Sequence, residues 1–401
     1  MSRPCLPRLR NWRSGDMRIA YLSTFYPFRG GIAQFNASLF REFEKQHEIR
    51  AFTFKRQYPD ALFPGATQYV TPTDVVDRVP ATPCLDSINP ISYLKTAIAI
   101  QKFRPELLVM KFWMPFFAPA LGAVAGRVRK SAVRTIAILD NLIPHERRPG
   151  DRALIKYFLH RNDGFVAMSK IVEGDLLSFD PKAKYVLKPH PLYDHFGPAL
   201  PAQIAKARLG LPADKRILLF FGFIRDYKGL DDLIRAAAHL PGDCLLVIAG
   251  EAYGSFDKYQ SLIAETGTAG RIKAFVRYID DREVPDFFSA AEVCVLPYKS
   301  ATQSGIVQIA FHFNLPVIVT DVGGLSEMVV EGETGLILRG REPHEVAARV
   351  REYFQNNMRS RMSQNIARRR PQYGWAGFAQ AILDLYHDLN AGRRGYFAEP
   401  D

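Results

Sequence analysis

Residues 216–240 read RILLFFGFIRDYKGLDDLIRAAAHL. After Arg216 the first seven residues are an unbroken apolar run, as expected of a strand buried on both faces. Residues 230–240 have the mixed pattern of an amphipathic helix. Between them, Gly222-Phe223-Ile224-Arg225-Asp226-Tyr227-Lys228-Gly229 sets two cations beside glycines. The alternation continues downstream, with apolar strands expected at 244–250, 271–276, 292–298 and 315–321 and helices between them. It is also present upstream, with strands at 18–23, 48–54, 106–112, 134–140 and 164–169. A helix over 31–46 places Ile32, Phe35, Leu39 and Phe43 at helical spacing. Apolar strands separated by helices predict parallel sheets covered on both faces. Residues 189–214 hold Pro189, Pro191, Pro198, Pro201 and Pro212 and read as a linker. The expected fold is therefore α/β, with two successive doubly wound units joined near 195–210. An amphipathic helix over 375–389 suits either unit. Such sheets bind ligands beyond the carboxyl ends of their strands, so the loops there should carry the chemistry.

Composition limits the alternatives. The 401 residues allow two or three domains, and 47% hydrophobic with 23% charged residues excludes a disordered, collagen-like or multispan chain. Cys5, Cys84, Cys244 and Cys294 are far apart, with neither a zinc spacing nor a disulfide framework, which fits a reducing, cytoplasmic setting. Cys244 and Cys294 lie in apolar runs and read as small buried hydrophobes. Residues 1–16 are basic with no apolar stretch behind them, so they do not read as a signal peptide but as a disordered extension before Met17. Phe112–Gly126 is the most apolar stretch; it is shorter than the ~20 residues of a membrane span and reads as a buried helix opening after a strand.

The net charge is +12, and it is lopsided. Residues 1–200 hold 29 Lys and Arg against 17 Asp and Glu, whereas residues 201–401 hold 24 of each. One half therefore either meets something acidic or presents a solvated basic surface. No zinc, helix-turn-helix or RNA-binding signature accompanies the charge, so a nucleic-acid partner is not expected.

Five strand-end loops are candidates. Tyr26–Gly31 carries Gly30 and Gly31 ahead of a helix, which suits close approach of a ligand or a plain turn. It lacks GxGxxG, which weighs against a dehydrogenase. Asp140–Arg148 clusters polar groups, including Asp140 and His145, suited to acid–base work or to a solvated loop. In the loop at 222–229, Arg225 and Lys228 suit a diphosphate. Pro297–Gly305 brings Tyr298, Thr302, Gln303, Ser304 and Gly305 to a helix start, where N–H groups can cradle phosphate or sugar oxygens. Asp321–Glu327 repeats the theme with two glycines and an acid near an expected helix start. No Asp-x-Asp occurs, so a metal-dependent sugar–nucleotide site of that type has no support, and no metal is expected.

The motifs together resemble family 4 glycosyltransferases, retaining and metal-independent enzymes of the two-Rossmann GT-B fold. The resemblance rests on Gly222 through Lys228-Gly229, Gly250-Glu251, Pro297-Tyr298, the run from Leu315 to Glu327, and Glu331–Leu336. It covers Met17 to about Leu389. It implies an acceptor-side domain at 17–195 bordered by Gly30 and Gly31. It further implies a nucleotide-sugar domain at 196–370 and a helix at 371–390 crossing back to the first domain. Lys228 matches the family lysine on the donor diphosphate. Phe223 replaces the usual arginine, with Arg225 close enough to reach the same phosphates. Gly222, Gly250, Glu251 and Glu327 fall at further donor positions. The family's glutamate pair falls on Ala301 and Ile309; Gln308, one residue off, is a candidate for the ribose, although one helical residue is a rotation of about 100°. The family's site histidine falls at Asp140, with His145 five residues on. A subgroup with SATQSG and DNxIPHE patterns shares these changes, which implies a variant active site.

The implied activity moves a sugar, with retention, from a UDP- or GDP-type nucleotide sugar to a hydroxyl acceptor. The acceptor is expected to be a lipid-linked glycan or polysaccharide of envelope biosynthesis, and the nucleotide sugar is a substrate with no cofactor beside it. A catalytically silent nucleotide- or carbohydrate-binding protein and a nucleotide-sugar epimerase on the same fold are the alternatives. The basic half, which by resemblance meets the acceptor, is expected to associate peripherally with an anionic membrane at its inner, cytoplasmic face.

Overall fold

The computed structural model describes residues 17–59, 67–70, 77–144, 148–193, 196–252, 254–301 and 304–394. Two parallel sheets organise the chain. The first contains β1 (Arg18–Leu22), β2 (Glu48–Arg56), β3 (Ala81–Asp86), β4 (Leu107–Phe112), β5 (Arg134–Leu139), β6 (Gly164–Ala167) and β7 (Tyr185–Leu187). Its order is β3-β2-β1-β4-β5-β6-β7. The second contains β8 (Arg216–Phe221), β9 (Cys244–Ala249), β10 (Ile272–Phe275), β11 (Val293–Leu296), β12 (Val317–Thr320) and β13 (Gly335–Leu338), in the order β10-β9-β8-β11-β12-β13. Strand order reverses between β1 and β4 in one sheet and between β8 and β11 in the other, the switch points where such sheets open a crevice.

The central strands form because their residues are apolar on both faces. Every side chain of β4, β5 and β9 is buried, so the only stable location for them is between two helical layers. β3, β7 and β13 are not apparent as strands in the sequence. β3 is an edge strand with exposed Thr82 and Pro83, and β7 has only three residues, none fully buried. The helix expected at 31–46 spans Gly31–Glu44 and buries Phe35, Leu39 and Phe43. The apolar run from Phe112 ends β4 and, after one tight turn, becomes the helix Ala118–Arg129. Cys244 and Cys294 are buried and free.

The chain crosses between the sheets twice. The Pro-rich stretch after β7 leads into the second unit, and residues 370–374 lead back out. The two crossings touch, with Leu192 N–H donating to Tyr373 O at 3.0 Å. The final helix, Trp375–Arg394, packs on the first sheet: Trp375, Phe378, Ile382 and Leu385 share a core with Ile19, Tyr21, Phe35 and Val166. Burying each such side chain contributes roughly 1.5–3 kcal/mol. Arg134 on β5 adds a bond from Nε to Asn390 Oδ1 at 2.8 Å.

Candidate active site

On the first sheet the site begins at the end of β1. Gly30 (φ 101°) takes a conformation open to glycine, and Gly31 starts the helix. A buried network fixes that helix to the strand: Tyr21 Oη donates to Asn36 Oδ1 at 2.6 Å, and Asn36 Nδ2 donates to Ser23 Oγ and Thr24 O, each at 2.8 Å. Beside it, on β4, the Lys111 side chain is only 1% exposed. Its ammonium lies 2.6 Å from Asp140 Oδ1, just past the end of β5, and 3.4 Å from the Phe35 ring centroid. Burial pulls the Lys111 ammonium down and pushes the Asp140 carboxyl up, each held back by the other's charge. His190 Nδ1 is 2.5 Å from Pro191 O. Burial, and then Lys111, lower its pKa to about 3. The ring is therefore neutral; with Nδ1–H donating to the carbonyl, Nε2 is left as an acceptor.

On the second sheet the loops are built on glycines that meet backbone. A Cβ on Gly229 (φ 65°) would sit 2.0 Å from Pro297 O, and one on Gly250 (φ 153°) 2.0 Å from Gly222 O. Only glycine lets the loops after β8, β9 and β11 touch in this way. They enclose Lys228, which is buried and forms no ion pair among the described residues. Burial, and then the nearby Arg225 guanidinium, lower its pKa to about 8. Tyr298 is buried with its hydroxyl 3.4 Å from Ser304 Oγ, and Ser304 caps the helix Gly305–His312 by accepting from Ile306 N–H at 3.3 Å. Burial pushes the Tyr298 hydroxyl far up, so it acts as a neutral donor.

The two halves face each other across a cleft of three adjoining cavities. One, of about 250 Å³, sets Gly31, Gln34 and Tyr193 opposite Gly222, Phe223, Lys228, Gly250, Glu251 and Gly305. A second, of about 230 Å³, sets Lys170 and His190 opposite Ser304, Gln308, Gly324 and Glu327. A third, of about 350 Å³, contains Gly31, Phe35, Lys111, Trp113, Asp140, His190 and Tyr193. Tyr193 stands where they meet: its ring contacts both Gly31 and Gly305, the first residue of one helix in each domain. Burial, and then Asp140, push its hydroxyl far up, so it too is a neutral group. Gln34 Nε2 donates across the cleft to Asp281 Oδ2 at 3.0 Å, and the Arg29 guanidinium lies 5.5 Å from the Tyr278 ring centroid.

The residues singled out in the sequence are thus divided. Gly222, Lys228, Gly250, Glu251, Gly305 and Gly31 share one cavity, while Ser304, Gln308 and Glu327 line another. Asp140 is in the third, and Arg225 acts on Lys228 through its charge. His145, Thr302 and Gln303 lie outside the described residues. Gln308 is buried with Nε2 3.2 Å from Met328 Sδ. Ala301 and Ile309 are buried apolar residues. One expectation is corrected: no helix follows the Gly323-Gly324 loop, which runs on through turns to β13. The helix start that Glu327 meets belongs to the other domain. Lys170 N–H, at the head of the helix Lys170–Phe179, donates to both Glu327 carboxylate oxygens at 3.0 and 2.9 Å. An anion there complements the helix dipole and bridges the domains. Lys111, His190 and Tyr193 were not picked out. A lysine inside the apolar run ELLVMKF was the available signal for the first; the other two sit in the Pro-rich stretch, where only a linker was legible.

Solved structures with this architecture define its class. Sucrose-phosphate synthase from Thermosynechococcus elongatus superposes with a TM-score of 0.73 at 20% identity, covering 94% of this chain and 100% of that one. Anabaena HepE in complex with UDP and glucose superposes at 0.70 and 15% identity, covering 93% and 100%. The fold is GT-B, two Rossmann-like domains about a cleft. Within it, residues 202–369 match the family model described as Glycosyl transferases group 1, so the second domain is a domain of that family. D-inositol 3-phosphate glycosyltransferase of Streptomyces avermitilis is 32% identical over 213 residues, 50% of this chain and 46% of that protein. The Streptomyces scabiei protein of the same name is 31% identical over 255 residues, 59% and 57%. The chain thus spans about half the length of the curated relatives it matches.

Proposed function

We propose that the protein is a glycosyltransferase that moves a sugar, with retention, from a UDP- or GDP-type nucleotide sugar to a hydroxyl acceptor. A lipid-linked glycan or polysaccharide of the cell envelope is the proposed acceptor, met at the inner face of the membrane. One observation carries this function: a buried lysine with no carboxylate partner among the described residues, enclosed by glycine loops and facing a cavity between two Rossmann-like domains. A buried ammonium without a counter-ion is costly, and a diphosphate supplies the missing charge. As the glycosidic bond to the donor breaks, negative charge grows on the diphosphate. Lys228, Arg225 and the N–H groups at Ser304-Gly305 stabilise it there. Glu251 and Gln308 are positioned toward the nucleoside, and Glu327, bonded to Lys170, holds the domains together over the donor. On the acceptor side Asp140 and His145 orient the attacking hydroxyl or take its proton. Asp140 is suited to this because burial raises its carboxyl toward the pH range where it exchanges protons. Closure of the cleft excludes water and limits hydrolysis.

The test is incubation of purified protein with UDP- and GDP-sugars and lipid extracts, in EDTA, with products read by mass spectrometry and the anomeric configuration by NMR. Transfer with retention is expected. Absence of transfer and hydrolysis from every donor, or undiminished turnover in Lys228→Ala, refutes the function. A silent binding protein is the second reading, favoured by apolar Ala301 and Ile309 where the family resemblance places carboxylates. It is the outcome if calorimetry shows nucleotide binding and no donor turns over.

A further inference from the structure

The helix Pro90–Phe103 turns an unusual face to solvent. Its buried side consists of Ser92, Thr96, Ala97, Ile100 and Phe103. The outward side carries Ile91, Leu94 and Ile98, which are 65%, 45% and 40% exposed, with Ile88 just before the helix at 48%. Positions 91, 94 and 98 fall on one helical stripe, and exposed Lys95 and Lys102 continue it. No acidic residue occurs anywhere in the helix. A surface helix normally buries its large aliphatics, so a row of three exposed ones needs a partner.

The surroundings say which partner. Gln101 Nε2 donates to Arg127 O and Ser131 Oγ at 3.2 and 2.6 Å, fixing the end of this helix beside the end of the helix Ala118–Arg129. Exposed Arg104, Arg127 and Lys130 gather there with Lys102, and with Lys95 they form no ion pair among the described residues. Arg129 is the exception, paired with Asp163. These cations lie in the half of the chain that holds the whole +12. Aliphatic side chains between unneutralised cations fit an anionic lipid surface, the apolar groups entering the acyl boundary and the cations meeting headgroups. Because the helix follows β3, its Ile88–Ile91 end lies at the strand-end edge that also carries the cleft.

We infer that this face, Ile88, Ile91, Leu94 and Ile98 with Lys95 and Lys102, docks the protein on an anionic phospholipid surface with the cleft mouth toward the bilayer. The docking is independent of the proposed transfer reaction, and its test contains no donor. Full-length protein is sedimented with vesicles of phosphatidylcholine alone or mixed equally with phosphatidylglycerol, at low and high salt. Binding is expected only to the anionic vesicles and is expected to weaken as salt rises. Ile91→Ser/Leu94→Ser/Ile98→Ser and Lys95→Glu/Lys102→Glu should each lower the partition coefficient about tenfold or more, with thermal unfolding unchanged because these side chains are exposed. Three outcomes overturn the inference: wild-type protein that ignores anionic vesicles at low salt, binding unaltered in the triple serine variant, or sedimentation velocity showing that the face is occupied by a second copy of the chain.

Discussion

Replacing Lys228 by methionine should make the protein more stable and less able to hold its donor. The folded state lowers the lysine's pKa from 10.5 to about 8, and at 1.36 kcal/mol per unit this disfavours the charged form by about 3 kcal/mol. For a base whose folded-state pKa lies below its unfolded value, the cost is fully present below about pH 8. It fades as pH rises from there toward 10.5. Methionine fills nearly the same volume without the charge. Lys228→Met should therefore unfold at higher urea concentration than wild type at pH 7, with Tm raised by about 5 °C or more. That advantage should shrink at pH 9.5 as the wild-type lysine loses its proton. A nucleoside diphosphate should raise the wild-type Tm, because it restores the missing counter-charge, and do so less as pH passes about 8. The variant should lose about 2 kcal/mol, or about thirtyfold, in nucleotide affinity, the scale of a charge-assisted hydrogen bond. Unfolding by urea at the two pH values, with and without UDP or GDP, reads all of this. A variant less stable than wild type at pH 7, or a gap that does not change with pH, would refute the assignment of Lys228 as a buried, uncompensated cation.

Three further outcomes are expected. Lys111→Met should cost about 3–5 kcal/mol by leaving the Asp140 charge buried and alone, and adding Asp140→Asn should restore much of it; a double-mutant cycle in urea measures the coupling, and strict additivity would contradict the pairing. Gly229→Ala should lose donor binding and at least about 2 kcal/mol of stability, because the new Cβ would lie 2.0 Å from Pro297 O at a φ of 65°; calorimetry and thermal melting check this. Glu327→Ala should loosen the two domains by removing the carboxylate on Lys170 N–H, seen as a larger radius of gyration in small-angle scattering, with Glu327→Gln partly preserving closure.

Strands such as ELLVMKF and RTIAILD are legible because a run apolar on both faces has no other stable location. β3, with the residues ATPCLD, is not, since an edge strand has no need of two apolar faces. In the site, the glycine loops are legible because their backbone approach restricts the residue type. Glu327 is legible as an acid near a helix start, but which helix is set by tertiary structure: its partner is 157 residues away. The Lys111–Asp140 pair joins neighbouring strands, and no local pattern relates them. His190 and Tyr193 become part of a site only when the two domains come together around them.

The return of the last helix to the first sheet affects the order of folding. During synthesis, β1 and the helix Gly31–Glu44 emerge first, yet the side chains that cover them include Trp375, Phe378 and Ile382. The first domain therefore leaves the ribosome with part of its core unroofed and stays so while the whole second domain is made. The second sheet, drawn from one continuous stretch of chain, has no such delay and can become native first. A ribosome stalled before codon 375 would carry a finished C-terminal domain tethered to an N-terminal one that still exposes aromatic surface, the species for which a holding chaperone would have most use.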